Sequence, residues 1–174
     1  MIDPGRFVAI ELQPVPREDE WYMRMALEEA RRAGEEGEVP VGAILVREGK
    51  VIGRGRNRPI ALRDPTAHAE MLAIREGAAH GRNYRRAGST LYATLEPCIM
   101  CAGALLQARV QRLVFGAEDS KAGAVKSLYG LLADDRLNHR VEVTSGVLEE
   151  ECREILRRFF QERREKGTTE GTEK

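Results

Sequence analysis

The sequence predicts an α/β protein, a three-layer α/β/α sandwich around a five-stranded mixed sheet. Three observations carry the prediction: apolar runs of strand length, segments of helical apolar spacing that alternate with them, and a strand, helix, strand succession mid-chain that implies a parallel crossover. At 174 residues the chain is the size of one domain. That domain is expected over residues 18–166. Before it stands an N-terminal extension, residues 1–17, with Pro4, Pro14 and Pro16; after it stands a polar tail, residues 167–174, too poor in apolar surface to fold.

Taken in order, Tyr22, Ala26, Ala30 and Ala33 recur at helical spacing within residues 18–36, and Gly37 supplies a stop. The apolar run of residues 41–46, followed after Arg47-Glu48-Gly49-Lys50 by Val51 and Ile52, reads as two antiparallel strands joined by a tight turn, the first buried on both faces. Asp64-Pro65-Thr66 carries helix-start chemistry, a capping side chain followed by a proline that loses nothing in a first turn. Ala67, Met71, Ile74 and Ala78 then mark the face expected to be buried. Residues 91–95 read as a third strand, Pro97 opens a helix to about Arg109, and Leu113-Val114-Phe115 forms a fourth strand. Residues 128–132 suggest a short helical turn and residues 141–143 a fifth strand. Residues 149–165 suggest a final helix with Cys152, Ile155, Leu156, Phe159 and Phe160 on its apolar face.

Composition excludes several classes of function. Lys plus Arg total 28 and so do Asp plus Glu, so no global field gathers nucleic acid or a membrane surface, and a polyanionic partner must be met locally. The longest apolar stretch, residues 39–46, is too short to span a bilayer, and residues 1–17 contain no apolar run of signal-peptide length. Three cysteines, an odd number, argue against a disulfide scaffold and fit a reducing compartment, so a cytoplasmic protein is expected.

Two segments carry chemistry, Thr66-Ala67-His68-Ala69-Glu70 and Glu96-Pro97-Cys98-Ile99-Met100-Cys101. Residues three apart on a helix share a face, so Cys98 and Cys101 can both address one ion from a first turn. Mid-helix, His68 and Glu70 would diverge by roughly 200°. At a helix mouth both can lean end-on toward a common target, His68 as ligand and Glu70 beside an open coordination position. Two thiolates neutralise the formal charge of a zinc ion, and helix N-termini favour negative ligands. Such a site brings the pKa of water toward roughly 7, and a neighbouring carboxylate can carry the protons that hydrolysis must move.

The ligand count separates catalysis from structure. A structural zinc site is usually closed by four protein ligands. Here Cys152 is expected to be a small buried hydrophobe, His80 lies near a helix end and His139 in a loop, so three ligands and a vacancy are the better reading. A CxxC alone could equally be a redox pair or half of a zinc ribbon, and a noncatalytic, zinc-stabilised RNA-binding module remains an alternative.

The histidine, glutamate and Pro-Cys-x-x-Cys pattern is the signature of zinc nucleobase deaminases. Glu38-Val39-Pro40-Val41-Gly42-Ala43, Asn57-Arg58-Pro59, Asp64-Pro65-Thr66-Ala67-His68-Ala69-Glu70, Leu95-Glu96-Pro97-Cys98-Ile99-Met100-Cys101-Ala102-Gly103-Ala104 and Asn138-His139-Arg140 together resemble the bacterial tRNA adenosine deaminases, over about residues 21–164. The resemblance implies a cytidine-deaminase-like fold, one zinc ion per subunit, a homodimer, and conversion of a wobble adenosine to inosine in a tRNA anticodon loop. It implies His68, Cys98 and Cys101 as ligands and Glu70 as the proton carrier. Asn57 would then hydrogen-bond the base, Val39, Pro40 and Val41 would wall its pocket, and Glu38 would lie near the rim. Asp119, Asn138, His139, Phe159, Phe160, Arg163 and Arg164 would lie along the anticodon-loop surface. The nearest rival shares every metal residue, a deaminase of free cytidine, deoxycytidylate or guanine. The Asn138-His139-Arg140 loop and the Phe159, Phe160, Arg163, Arg164 group, with ring faces and cations suited to a splayed-out loop, set the RNA reading apart.

Overall fold

The computed structural model describes residues 17–169, with side chains to residue 166. Ten elements follow one another: α1 (Arg17–Glu35), β1 (Gly42–Arg47), β2 (Lys50–Arg56), α2 (Pro59–Leu62), α3 (Ala69–Gly81), β3 (Ser89–Leu95), α4 (Ile99–Gln107), β4 (Arg112–Ala117), β5 (Glu142–Ser145) and α5 (Glu149–Thr169), with one turn of 3₁₀ helix at Leu131–Ala133 between β4 and β5. The strands form a single sheet in the order β2-β1-β3-β4-β5. β2 and β3 run antiparallel to β1, whereas β3, β4 and β5 are parallel. The mixed five-stranded sheet and the crossover through α4 agree with the sequence reading.

Alternation along the central strands builds the layers. Ala43 and Leu45 of β1, Leu91 and Ala93 of β3, and Leu113 and Phe115 of β4 point to one face, where they pack with Ala69 and Ala73 of α3 and Ala102 and Leu105 of α4. Ile44, Val46, Tyr92 and Val114 point to the other, against Tyr22, Met23, Ala26 and Leu27 of α1 and Cys152 of α5. A period of two on strands buried on both sides thus makes two cores from one sheet. β1 is buried from Gly42 to Val46. The α1/α5 core also encloses a polar knot in which Asp19 accepts two bonds from the Arg112 guanidinium, at 2.8 and 2.7 Å, and one from the Tyr92 hydroxyl at 3.0 Å.

Local signals explain the boundaries. Glu48 and Gly49 both have positive φ (51° and 69°), the conformation a two-residue hairpin turn demands. Gly37, at φ 81°, ends α1: its N–H and that of Glu38 donate to Gly34 O and Ala33 O, closing a Schellman motif.

Several expectations are corrected. Asp64 does not cap a helix; its Oδ1 accepts from the Thr66 N–H and hydroxyl within a turn, and α3 starts at Ala69 with His68 as the N-cap. Close packing on Gly53 and Gly55 of β2 makes Ala69, Ala73, Ile74 and Gly77 the buried apolar face of α3 in place of Met71 and Ala78. α2, with Pro59 in its first turn, was not foreseen. α4 starts at Ile99, two residues after Pro97, and the short helical turn lies at Leu131–Ala133, not residues 128–132. Arg17, placed in the extension, opens α1, and α5 continues to Thr169, three residues into the expected tail. Residues 1–16 and 170–174, the rest of those two segments, lie outside the described residues.

Candidate active site

The antiparallel and parallel pairings bring the start of β1 and the ends of β2, β3 and β4 to one edge of the sheet. At that edge two helices begin. His68 is the N-cap of α3 and Cys98 the N-cap of α4, both in extended backbone conformation and neither spending its side chain on its own helix. Helix N-caps usually satisfy an orphan N–H with their own oxygen. Here the task passes to Asn57, whose Oδ1 accepts from the Ala69 N–H at 2.9 Å. The His68 ring is thereby left to face the site.

Close packing sets where α3 begins. A Cβ on Gly55 of β2 would stand 1.9 Å from Ala69 O, and one on Gly53 would stand 2.1 Å from Ala73 O. Two glycines therefore let the α3 backbone lie on β2, which carries His68 to the level of Cys98.

The His68 Nδ1 lies 3.6 Å from Cys98 Sγ and 3.7 Å from Cys101 Sγ, and the three donor atoms all fall within 4.8 Å of one another. For zinc bonds of about 2.3 Å to sulfur and 2.0–2.1 Å to nitrogen, a tetrahedral edge between the two is roughly 3.6 Å. The donor set, one imidazole and two thiols, thus fits zinc in both chemistry and spacing. It supplies three ligands, one fewer than a closed structural site.

The electrostatics favour one anionic sulfur, that of Cys98. Hydrogen bonding from Cys101, and next from His68, pulls the Cys98 thiol down to about 3, while the Cys101 thiol, sharing one proton with that neighbour, is pushed up. His68 is raised, first by its bond to Cys98. Glu70, in the first turn of α3, is 4% exposed; burial pushes its carboxyl up, and its hydrogen bonding with Cys101 places it against the ligand set. A buried carboxyl raised in this way and set against the ligand group is placed to act as a proton carrier.

The other sequence candidates divide into three groups. Val39, Pro40 and Val41 lead into β1 beside Asn57, whose N–H donates to Val41 O at 3.1 Å; Val39 and Val41 pack on the α3/α4 core, whereas Pro40 lies against Gly34 of α1. Glu38 is buried and engaged elsewhere: its carboxylate accepts from the Ile60 and Ala61 N–H groups at 3.3 and 2.8 Å, capping α2. Asp119 follows β4 at the same sheet edge, its Oδ1 accepting from Lys121 and Ala122 N–H.

On α5, the Arg163 guanidinium lies 4.8 Å over the Phe159 ring and donates to Gly37 O, which ties this helix to the turn before Glu38. Phe160 is exposed and edge-on to Phe159, and Arg164 lies on the exposed end of the helix. Asn138 and His139 sit apart. Arg109 holds Asn138 through its Oδ1 at 3.0 Å, and the His139 Nε2 is 2.8 Å from Val110 O. Both contacts are at the C-terminal end of α4, about 13 Å along a nine-residue helix from Cys98. Within one copy they stand apart from the metal donors.

Sequence reasoning quoted Glu96 within a motif without giving it a role, and passed over Gly53 and Gly55. A carboxylate directly after the apolar strand of residues 89–95 was the available signal for Glu96; the glycine pair, spaced by two on one face of β2, was the other.

Comparison with known proteins adds the following. Residues 16–117 match the family described as the cytidine and deoxycytidylate deaminase zinc-binding region. A tRNA-specific adenosine deaminase of Haemophilus influenzae is 55% identical over 153 residues, covering 87% of this chain and 88% of that protein. One from Bacillus subtilis is 50% identical over 149 residues, covering 86% and 92%. A solved structure from work on A-to-I editing by tRNA:A34 deaminases at the wobble position of transfer RNA superposes with a TM-score of 0.76 at 48% identity, covering 78% of this chain and 99% of that one.

Proposed function

Because the chain belongs to the tRNA-specific adenosine deaminases, within the cytidine and deoxycytidylate deaminase family, we propose that it converts the wobble adenosine of a tRNA anticodon to inosine by hydrolysis. The observation that carries the reading is a zinc-fitting set of three donors, His68, Cys98 and Cys101, with the buried carboxyl of Glu70 against it. Zinc, when held by those three residues, supplies Lewis acidity that brings the pKa of water toward roughly 7.

The protein's own groups do the rest. Glu70 takes a proton from the attacking water and delivers it to the ring nitrogen beside the carbon under attack. It then moves the remaining proton of that water, from the hydroxyl now on the carbon, to the exocyclic nitrogen, which leaves as ammonia as the carbon–nitrogen bond breaks and the carbonyl forms. The burial that raises Glu70 keeps its proton-bound form accessible through this cycle. Val39, Pro40 and Val41 bound the pocket, and Asn57, with its oxygen engaged by Ala69, directs its amide N–H groups toward the base. Phe159, Phe160, Arg163 and Asp119 offer rings and charges for the loop around a flipped-out base, which in an anticodon loop unstacks at little cost.

A homodimer is part of the same proposal. Ile99 is 53% exposed on α4, Leu128 and Tyr129 are exposed after the β4 loop, and Gly103 and Ala104 allow close helix approach. Such a partner copy could also bring Asn138 and His139 to a site they do not reach alone. A monomer by sedimentation at working concentration would remove this element. Among the described residues no helix is long and apolar enough to cross a membrane, and the proposed place of action is the cytoplasm.

The deciding experiment offers zinc-loaded protein a tRNA, free adenosine, cytidine, deoxycytidylate and guanine in parallel, and follows ammonia release and inosine. Inosine at the wobble position alone is expected. Glu70→Gln should lose about 10²–10⁴ in rate while keeping zinc and tRNA binding; retained turnover in that variant would overturn the role of Glu70.

A further inference from the structure

The turn between β3 and α4 carries more than a metal ligand. Glu96, two residues before Cys98, is 2% exposed. Its carboxylate accepts from four backbone N–H groups of one loop: Asp119 at 3.0 Å, Val125 at 3.1 Å, Lys126 at 2.7 Å and Ser127 at 2.8 Å. The Ser127 hydroxyl donates to it as well. Beside these, the Ala124 N–H donates to Pro97 O at 2.9 Å. A Cβ on Gly123 would stand 2.4 Å from the carboxylate carbon, so the loop lies directly against this group and a glycine is required for that approach.

Burying a carboxylate is costly unless its lone pairs are filled. The backbone of residues 119–127 fills them, and does so only while that loop keeps this shape. Glu96 and the loop are therefore one folding unit, anchored to the turn that bears Cys98. The loop leaves the end of β4, at the same sheet edge as His68, Asn57 and Cys98, and exposes Lys121 and Lys126 there.

We infer that Glu96 is a positioning residue for the RNA substrate: its buried carboxylate folds loop 119–127 onto the metal-bearing turn, so that the loop meets the anticodon at a set height above the site. The inference rests on the tRNA reading given above. Glu96 touches neither substrate nor metal, and its effect passes through the loop into substrate capture.

The test uses full-length, zinc-loaded protein and the variants Glu96→Gln and Ser127→Ala, with Glu96→Ala as the severe case. Amide hydrogen exchange without substrate should accelerate at residues 119 and 124–127 by on the order of tenfold or more in Glu96→Gln, less in Ser127→Ala, while β1 and β2 keep their protection. On a tRNA substrate, KM should rise by on the order of tenfold with kcat within about threefold, again less for Ser127→Ala, and zinc content should match the unaltered enzyme. Unchanged loop exchange, a fall in kcat at constant KM, or loss of protection throughout the sheet each overturns the inference. If Glu96→Ala does not fold, the two milder variants decide. An unaltered enzyme that makes no inosine would sink the tRNA reading itself, whereas loop exchange is measured without substrate and tests Glu96 separately.

Discussion

Asn57 has one observed task, capping α3, and one proposed task, contacting the base, and one pair of substitutions can separate them. Its Oδ1 accepts the Ala69 N–H at 2.9 Å, and this is the cap that His68, facing the metal donors, does not provide. Loss of an N-cap oxygen costs about 0.5–2 kcal/mol. Ala69 is fully buried, so its N–H is not simply handed to water, and an unsatisfied buried donor costs about 1–3 kcal/mol. These describe one loss from two sides, so Asn57→Ala should destabilise the zinc-loaded protein by about 1–3 kcal/mol. Asn57→Asp keeps the acceptor and adds a charge favoured at a helix N-terminus by about 0.3–1 kcal/mol, offset by the nearby Glu70 and thiolates. Its stability should stay within about 1 kcal/mol of the unaltered chain. The carboxylate has no N–H to offer a base, so inosine formation should fall in both variants. Equilibrium urea unfolding at saturating zinc gives the stabilities, and single-turnover deamination of a tRNA gives the activities. Equal stability of Asn57→Ala and the unaltered chain would refute the cap argument, and full activity of Asn57→Asp would refute the base contact.

Other perturbations probe the scaffold around the site. Gly55→Ala puts a methyl against Ala69 O and Ala73 N, backbone atoms that cannot rotate away; it should cost about 1–3 kcal/mol and weaken zinc retention against a chelator, whereas Gly130→Ala, with open space around it, should be neutral within about 0.5 kcal/mol. Glu36 is held below its ordinary 4.5 first by a hydrogen bond from Arg56, with Arg58 adding to it. The stability it contributes is therefore present above about pH 4.5 and lost as pH falls through the lower folded value, so Glu36→Gln should be less stable than the unaltered chain near neutrality and equal to it in strong acid, by thermal melts at low salt. Burial pushes the Cys152 thiol up to about 12. At about pH 8 iodoacetamide should leave Cys152 unmodified in the folded protein and label it once urea is added, as read by mass spectrometry of the peptides.

Much of the fold was legible because period and length are local properties. The run of residues 41–46 is apolar apart from Gly42, as a short strand covered on both faces requires, and β1 has that burial. The odd and even residues of β1, β3 and β4 then divide between two cores without further information. Helix starts were less legible. Asp64-Pro65 has the composition of a cap, yet the same Asp64 oxygen satisfies Thr66 within a turn, and the choice between the two depends on Asn57, twelve residues away from Ala69, being available to cap from outside. The short α2 had the same difficulty, since its N-terminus is satisfied by Glu38 from before β1.

The residue types of the site belong to the sequence alone: one histidine, one glutamate two positions later, and two cysteines three apart after a proline. Their chemistry follows from donor type and from spacing on a helix, neither of which needs a partner element. That these groups meet is a tertiary fact. It depends on the register of β1 between β2 and β3 and on the bare backbones of Gly53 and Gly55, which let α3 settle low enough for Nδ1 and the two sulfurs to stand a tetrahedral edge apart. The distance of Asn138 and His139 from that cluster, and the dependence of an entire loop on Glu96, were likewise decided only when the strands paired. Contacts across long stretches of chain are set by packing, and packing leaves no periodic trace in the sequence.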